Sequence, residues 1–260
     1  MESNTFRWED ARQFNWWQLL LATFIPSGIA FFLFHIVLPR LVANGGGRLS
    51  SWATVASIGL FAFSLGGLFL LNKEAKELGV SIWKRMSLRG LSLRQWGLYI
   101  VLLVVALLLA FLIQPVTVGF MEALDFFPPD YFPFILDPRI DPLSAPESVI
   151  SPNLAIRGNY SLIPLMLVAL ALNILTEELY FRAWMLPKMV KWGNLGWVLN
   201  GVLFAFYHSF QLWLLPTLLV ASLSFAFLFY RSRSLWVVFV GHLVGNFLLT
   251  ALGLVALIAS

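Results

Sequence analysis

The chain alternates long apolar runs with short polar connections from one end to the other. Seven runs stand out, at about 16 to 38, 52 to 71, 96 to 113, 162 to 181, 195 to 210, 212 to 230 and 235 to 257. About 20 apolar residues in a helix cross a ~30 Å hydrocarbon core, so the pattern predicts an all-α, polytopic transmembrane helical bundle of about seven spans. Trp16, Trp17, Trp52, Trp96, Trp192, Trp213 and Trp236 fall at or near the predicted ends, where indoles favour the headgroup layer. The first run is longer than the core of a signal peptide and lacks a clear small-residue cleavage site, so it reads as a retained span.

The connections predict topology and organisation. The 72 to 95 segment carries Lys73, Lys76, Lys84, Arg85, Arg89 and Arg94, the richest basic cluster, and is expected to be cytoplasmic. Alternation then places the N-terminus, the 182 to 194 segment, Arg231 and Arg233 on the same side, while Arg40 and Arg48 run against the scheme. Residues 114 to 161 hold eight of the thirteen prolines and an acidic bias, which predicts an irregular extramembrane segment packed partly on the bundle. The 80 to 96 stretch, with Ile82, Trp83, Met86, Leu88 and Leu91 among basic residues, reads as a short interfacial amphipathic helix. The whole of 1 to 260 is expected to form one membrane-embedded domain, with N-terminal helices over 16 to 113 and a motif-bearing core over 160 to 250.

Composition fits lipid as the main solvent. Apolar residues make up 60% and charged residues 12%, against roughly 25% charged in a soluble domain. Mean hydropathy is +0.83. The net charge of +4 sits in loops between spans, so no nucleic-acid partner is expected; the expected partners are the bilayer and a membrane-associated peptide or protein substrate, in the plasma membrane. No cysteine is present, which rules out disulfides, thiolate metal sites and a cysteine nucleophile.

Against this background the ionisable residues inside the spans carry the chemistry, because an ionisable side chain at mid-bilayer costs at least about 2.5–3.5 kcal/mol on insertion scales. Glu177 and Glu178 stand late in the fourth run, His208 in the fifth, and His242 and Asn246 in the seventh. Glu178 and Arg182 are spaced i, i+4 with the acid first, the favourable order for an ion pair along a helix. Glu177 is left without an obvious local partner, as suits a general base or acid. Asn173, one turn before Glu177, either lines the same cavity or bonds a neighbouring helix. Phe204 lies one turn before His208 and is placed to pack on its imidazole. His35 has no companion and reads as a packing residue.

If the fourth, fifth and seventh helices meet, two arrangements serve peptide hydrolysis. In one, Glu177 and His208 polarise a water while His242 and Asn246 donate hydrogen bonds to the developing oxyanion. In the other, Glu177, His208 and His242 form a two-His-one-carboxylate shell for Zn²⁺ with an open water position. Convergence requires Glu177 and His208 to reach similar depth, which follows if the fourth helix continues to about Val190 and the fifth is short or tilted.

Glu-Glu-x-x-x-Arg at Glu177, Glu178 and Arg182, Phe-x-x-x-His at Phe204 and His208, and His-x-x-x-Asn at His242 and Asn246 resemble, in that order, the three motifs of the CPBP family. That family contains the type II CAAX prenyl proteases and the bacteriocin-processing or immunity proteins, also called Abi proteins. The resemblance covers about residues 160 to 250. It implies an intramembrane endopeptidase with Glu177 and His208 as water activators, His242 and Asn246 as oxyanion residues, and Glu178 with Arg182 as supports. The alternatives are a bacteriocin-immunity or membrane scaffold protein with little or no hydrolysis, and a small proton-coupled carrier. A carrier usually shows internal repeats or matching broken helices, and neither is found.

Overall fold

The computed structural model describes residues 6–141, 144–150 and 155–259, without the side chains of Glu147, Asn246, Leu248 and Leu249. Its described residues are helical and contain no strand. Six helices are long and apolar enough to span a bilayer: α1 (Trp16–Ala43), α2 (Arg48–Glu77), α3 (Leu93–Ala123), α4 (Leu162–Trp192), α6 (Ser209–Ser232) and α7 (Leu235–Ala259). The shorter apolar helix α5 (Asn194–Tyr207) completes the seven predicted from the apolar runs. The protein is thus an integral membrane bundle.

Several boundaries move. The predicted extramembrane segment begins later than 114, because α3 turns through Ile113 and continues as helix from Gln114 to Ala123, with Pro115 in the first turn where its missing N–H costs nothing. The predicted amphipathic helix over 80 to 96 is a single turn at Ile82–Arg85, capped by the Ser81 side chain, and Trp96 already belongs to α3. Its basic residues do not all face solvent: Arg85 is fully buried. Trp213 is also buried rather than anchored at an interface, and its indole N–H donates to the Leu136 carbonyl at 2.9 Å.

Close packing rests on small residues, the usual means of bringing helices together where apolar burial supplies no drive. A Cβ on Gly201 of α5 would meet the Leu223 backbone of α6 at 2.8 Å, and these two helices pack extensively. On α7, Gly241 and Gly245 lie one turn apart and receive the Leu103 and Leu107 side chains of α3. The other extensive pairing is α2 against α4. Thr176 contributes there, bonding Ser64 and donating to the Leu60 carbonyl.

The two ends of the bundle differ. At one end, the N-terminal segment, the 78 to 92 connection, the end of α4 and the turn after α6 meet: Phe14 N–H donates to Lys188 O, Trp8 Nε1–H to Ser87 Oγ, and Arg89 to Ser232 O. Glu74, Arg85 and Lys188 form a buried charge cluster there. Arg85 donates to Glu74 Oε2 at 2.8 Å and to the Ala183 and Trp184 carbonyls, and Lys188 donates to the other Glu74 oxygen. Burial holds the Arg85 guanidinium below its ordinary pKa, with Glu74 opposing that shift. At the other end, the Pro-rich connection packs on the bundle as expected, with Phe132 and Phe134 buried. Arg48 sits at this end beside Asp130, Asp137 and Arg139 around a cavity of about 210 Å³. Its position against the charge scheme is matched by acidic neighbours.

Candidate active site

Glu177 falls at the midpoint of α4, because that helix runs unbroken to Trp192. His208 follows directly on the short α5. Both conditions for a shared depth are therefore met. At Glu178 the winding of α4 changes from α to π, with i→i+5 bonding through Met185. Similar π segments occur at Leu33–Val37, around His35, and at Leu243–Leu248, which includes Asn246. Such bulges recur at functional sites, where they re-aim side chains.

Three of the four principal candidates converge. His208 Nε2 lies 3.3 Å from Glu177 Oε1, and His242 Nε2 lies 3.7 Å from Glu177 Oε2. All three side chains are buried. The fourth, Asn246, sits on the π segment of α7, and its side chain lies outside the described residues.

The supporting contacts fix how the rings face. His208 Nδ1 is 2.9 Å from the Phe204 carbonyl, which accepts only, so Nδ1 carries the proton and Nε2 turns to the carboxylate. The Phe204 ring meets the same imidazole edge-on with centroids 4.8 Å apart, so this residue steadies His208 through both ring and backbone. His242 Nδ1 lies 2.9 Å from Glu178 Oε1. Asn173 Nδ2 donates to Glu177 Oε1 at 2.7 Å, which puts its amide beside the carboxylate.

Arg182 differs from the simple pair predicted for it. Its Nε is 3.8 Å from Glu178 Oε2, too long for a hydrogen bond, and its guanidinium lies over the Phe204 ring at 4.1 Å. Among the described residues none of its three nitrogens has a hydrogen-bond partner, nor does Glu178 Oε2. Glu178 has given its other oxygen to His242 across the helix interface. Lys188, further along the same helix, donates to Glu74.

His35 is more than packing. One ring nitrogen pairs with Tyr131 OH at 2.8 Å and the other with the Phe210 carbonyl at 3.1 Å, so α1 ties the Pro-rich connection to the turn just after His208. Burial raises the Tyr131 pKa. Neither this bridge nor the Glu74–Arg85–Lys188 cluster was anticipated. The available signal was a lone histidine inside an apolar run and, for the cluster, charges in or beside the connections that look ordinary in the sequence.

The alternative zinc shell of Glu177, His208 and His242 has no support among the described residues, where no group of three or more His, Cys, Asp or Glu side chains is placed to hold a metal ion.

A buried carboxylate with two imidazoles beside it, at the midpoint of a helix long enough to span a bilayer, is the kind of side-chain set that general acid–base chemistry uses. Residues 159–248, which include all three motifs, match the family model described as Rce1-like, type II CAAX prenyl endopeptidase Rce1-like, in keeping with the CPBP resemblance. The match supports an intramembrane protease class. No curated protein and no solved structure matches the chain.

Proposed function

We propose that the protein is an intramembrane endopeptidase that hydrolyses a peptide bond of a membrane-associated peptide or protein, acting in the plasma membrane. The observation that carries this reading is the placement of the Glu177 carboxylate between the Nε2 atoms of His208 and His242, at the midpoint of a spanning helix. With His208 Nδ1–H committed to the Phe204 carbonyl, Nε2 and the carboxylate are the two basic groups of the site, and a water bound beside them lies within reach of both.

The step follows from these positions. The water oxygen attacks the scissile carbonyl carbon as its proton passes to the Glu177–His208 pair. Charge develops on the carbonyl oxygen and is met by His242 Nε2–H and the Asn246 amide. For His242 to donate there while Nδ1–H faces Glu178, its ring must be an imidazolium. Collapse breaks the C–N bond, and the stored proton leaves with the amine.

Membranes containing wild-type protein and Glu177→Ala, compared by peptide-level proteomics, provide the test. A membrane protein cleaved only with wild type supports the reading. Identical peptide profiles, with both proteins present at equal level, would overturn it.

A further inference from the structure

A second cavity, of about 670 Å³, opens at the basic end of the bundle, lined by Phe6, Arg7, Trp8, Glu9, Trp83, Lys84, Ser87, Leu88, Arg89 and Arg233. Four cations and one acid line it, a balance of plus three. It lies beside the ends of three spans: Trp8 precedes α1, Arg89 precedes α3, and Arg233 follows α6. The lining joins a polar floor to an apolar rim, since Trp83 is 65% exposed while Arg233 is half-buried.

Two of the cations, Arg233 and Arg89, rest on neutral groups. Arg233 lies over the Trp8 ring at 3.6 Å and the Tyr230 ring at 4.8 Å, and among the described residues it has no ion pair. Arg89 donates through Nε and Nη2 to the Ser232 carbonyl and likewise has no carboxylate within ion-pair distance among those residues. Burial lowers the pKa of Arg233, and the nearby Arg89 adds to the shift while Tyr230 and Glu9 oppose it. Two non-glycine residues here, Ser87 and Arg233, adopt left-handed backbone with φ of 59° and 52°. Such residues are uncommon and cluster where surrounding structure holds a binding group in place. Guanidinium groups stacked on rings, with donors left over, suit the oxygens of a phosphate.

We propose that this cavity is a binding site for the phosphate of an anionic phospholipid, drawn from the leaflet that adjoins the basic end. The headgroup phosphate sits among Arg233, Arg89 and Lys84, and the glycerol and upper acyl chains lie along Trp83 and Leu88. A phospholipid is favoured over a soluble anion because the exposed Trp83 and the neighbouring Leu88 give the cavity an apolar side next to the ends of three spans, the level at which indoles accumulate. The site is separate from the Glu177 cavity and independent of its chemistry.

The test is native mass spectrometry of the full chain, released from micelles containing equal amounts of phosphatidylglycerol and phosphatidylcholine. Wild type should retain phosphatidylglycerol selectively, and Lys84→Gln with Arg233→Gln should weaken that retention about 30-fold, from about 1 kcal/mol per basic group at a membrane surface. Arg233→Lys, which keeps the charge, should retain most of the selectivity and guards against loss through misfolding. Competition with inorganic phosphate and with glycerol 3-phosphate separates the sources. If phosphate alone binds wild type as tightly as the lipid does, the site belongs to a soluble anion and the lipid assignment falls. Equal phosphatidylglycerol retention by wild type and the double variant overturns the site itself.

Discussion

Glu178 Oε1 stands 2.9 Å from His242 Nδ1, joining two residues 64 positions apart between fully buried and nearly buried side chains. The contact makes Glu178 the orienting partner of His242 as well as the counter-charge of Arg182. Glu178→Gln should therefore lower both activity and stability. An amide in place of the carboxylate no longer favours the imidazolium or fixes the ring, and in a triad with similar logic that loss reaches about 10⁴-fold in rate. Peptidase turnover and the thermal midpoint in detergent should fall together. Unchanged turnover would return Glu178 to a purely structural role.

Glu177→Gln should behave differently, removing hydrolysis with little loss of folded protein. Gln keeps the shape and accepts the Asn173 amide hydrogen bond, yet takes no proton from water. General-base contributions are typically 10² to 10⁴-fold, which sets the expected fall in rate at roughly that size. The check is a turnover assay beside a size-exclusion profile. Full activity in the glutamine variant would move the base elsewhere.

The motif residues were legible in the sequence because charge and imidazole stand out inside apolar runs. The approach of Glu177, His208 and His242 to one another was legible too, since isolated polar groups at mid-depth are costly. Which glutamate serves which partner was not. The spacing of Glu178 and Arg182 suggested a closed pair, but the chain winds as π from Glu178 onward and a histidine from α7 takes the carboxylate. The Glu74–Arg85–Lys188 cluster was hidden for a similar reason: its members look like ordinary loop and helix-end charges until folding buries them.

That cluster should be costly to break. Arg85 is fully buried and holds the Ala183 and Trp184 carbonyls, just beyond the residues that carry the site, so Arg85→Ala leaves Glu74 facing Lys188 alone and frees two carbonyls. Losing one member of a buried ion pair typically costs about 3–5 kcal/mol. Thermal unfolding in detergent should show a large drop, whereas Lys73→Ala, at an exposed i, i+4 pair with Glu77, should leave the midpoint nearly unchanged.

Two glycines offer a contrast in packing. At Gly201 an added Cβ meets the backbone of Leu223, so Gly201→Ala must separate α5 from α6 and displace His208 with them. At Gly241 the nearest atom is the tip of the Leu103 side chain, which can rotate away. Overpacking typically costs about 1–3 kcal/mol, and Gly201→Ala should approach the upper part of that range while Gly241→Ala costs less. Comparable midpoints for the two variants would contradict the packing argument.

The remaining prediction concerns which end of the bundle faces the cytoplasm. The N-terminal segment, the 78 to 92 connection, the end of α4 and the turn after α6 meet at one end through Phe14–Lys188, Trp8–Ser87 and Arg89–Ser232 contacts. Their basic residues are therefore a single patch, and positive charge in short loops is retained on the cytoplasmic side during insertion. Arg48 at the opposite end faces Asp130 and Asp137, so its charge is offset locally and carries less weight in setting orientation. A reporter fused within 72 to 95 should read cytoplasmic, and one within 114 to 161 should read external. Neutralising Lys73, Lys76 and Lys84 together should weaken that preference and yield a mixed population, because these three supply half of the six basic residues in the segment. The opposite readings from both reporters would invert the bundle and place the acidic connection in the cytosol.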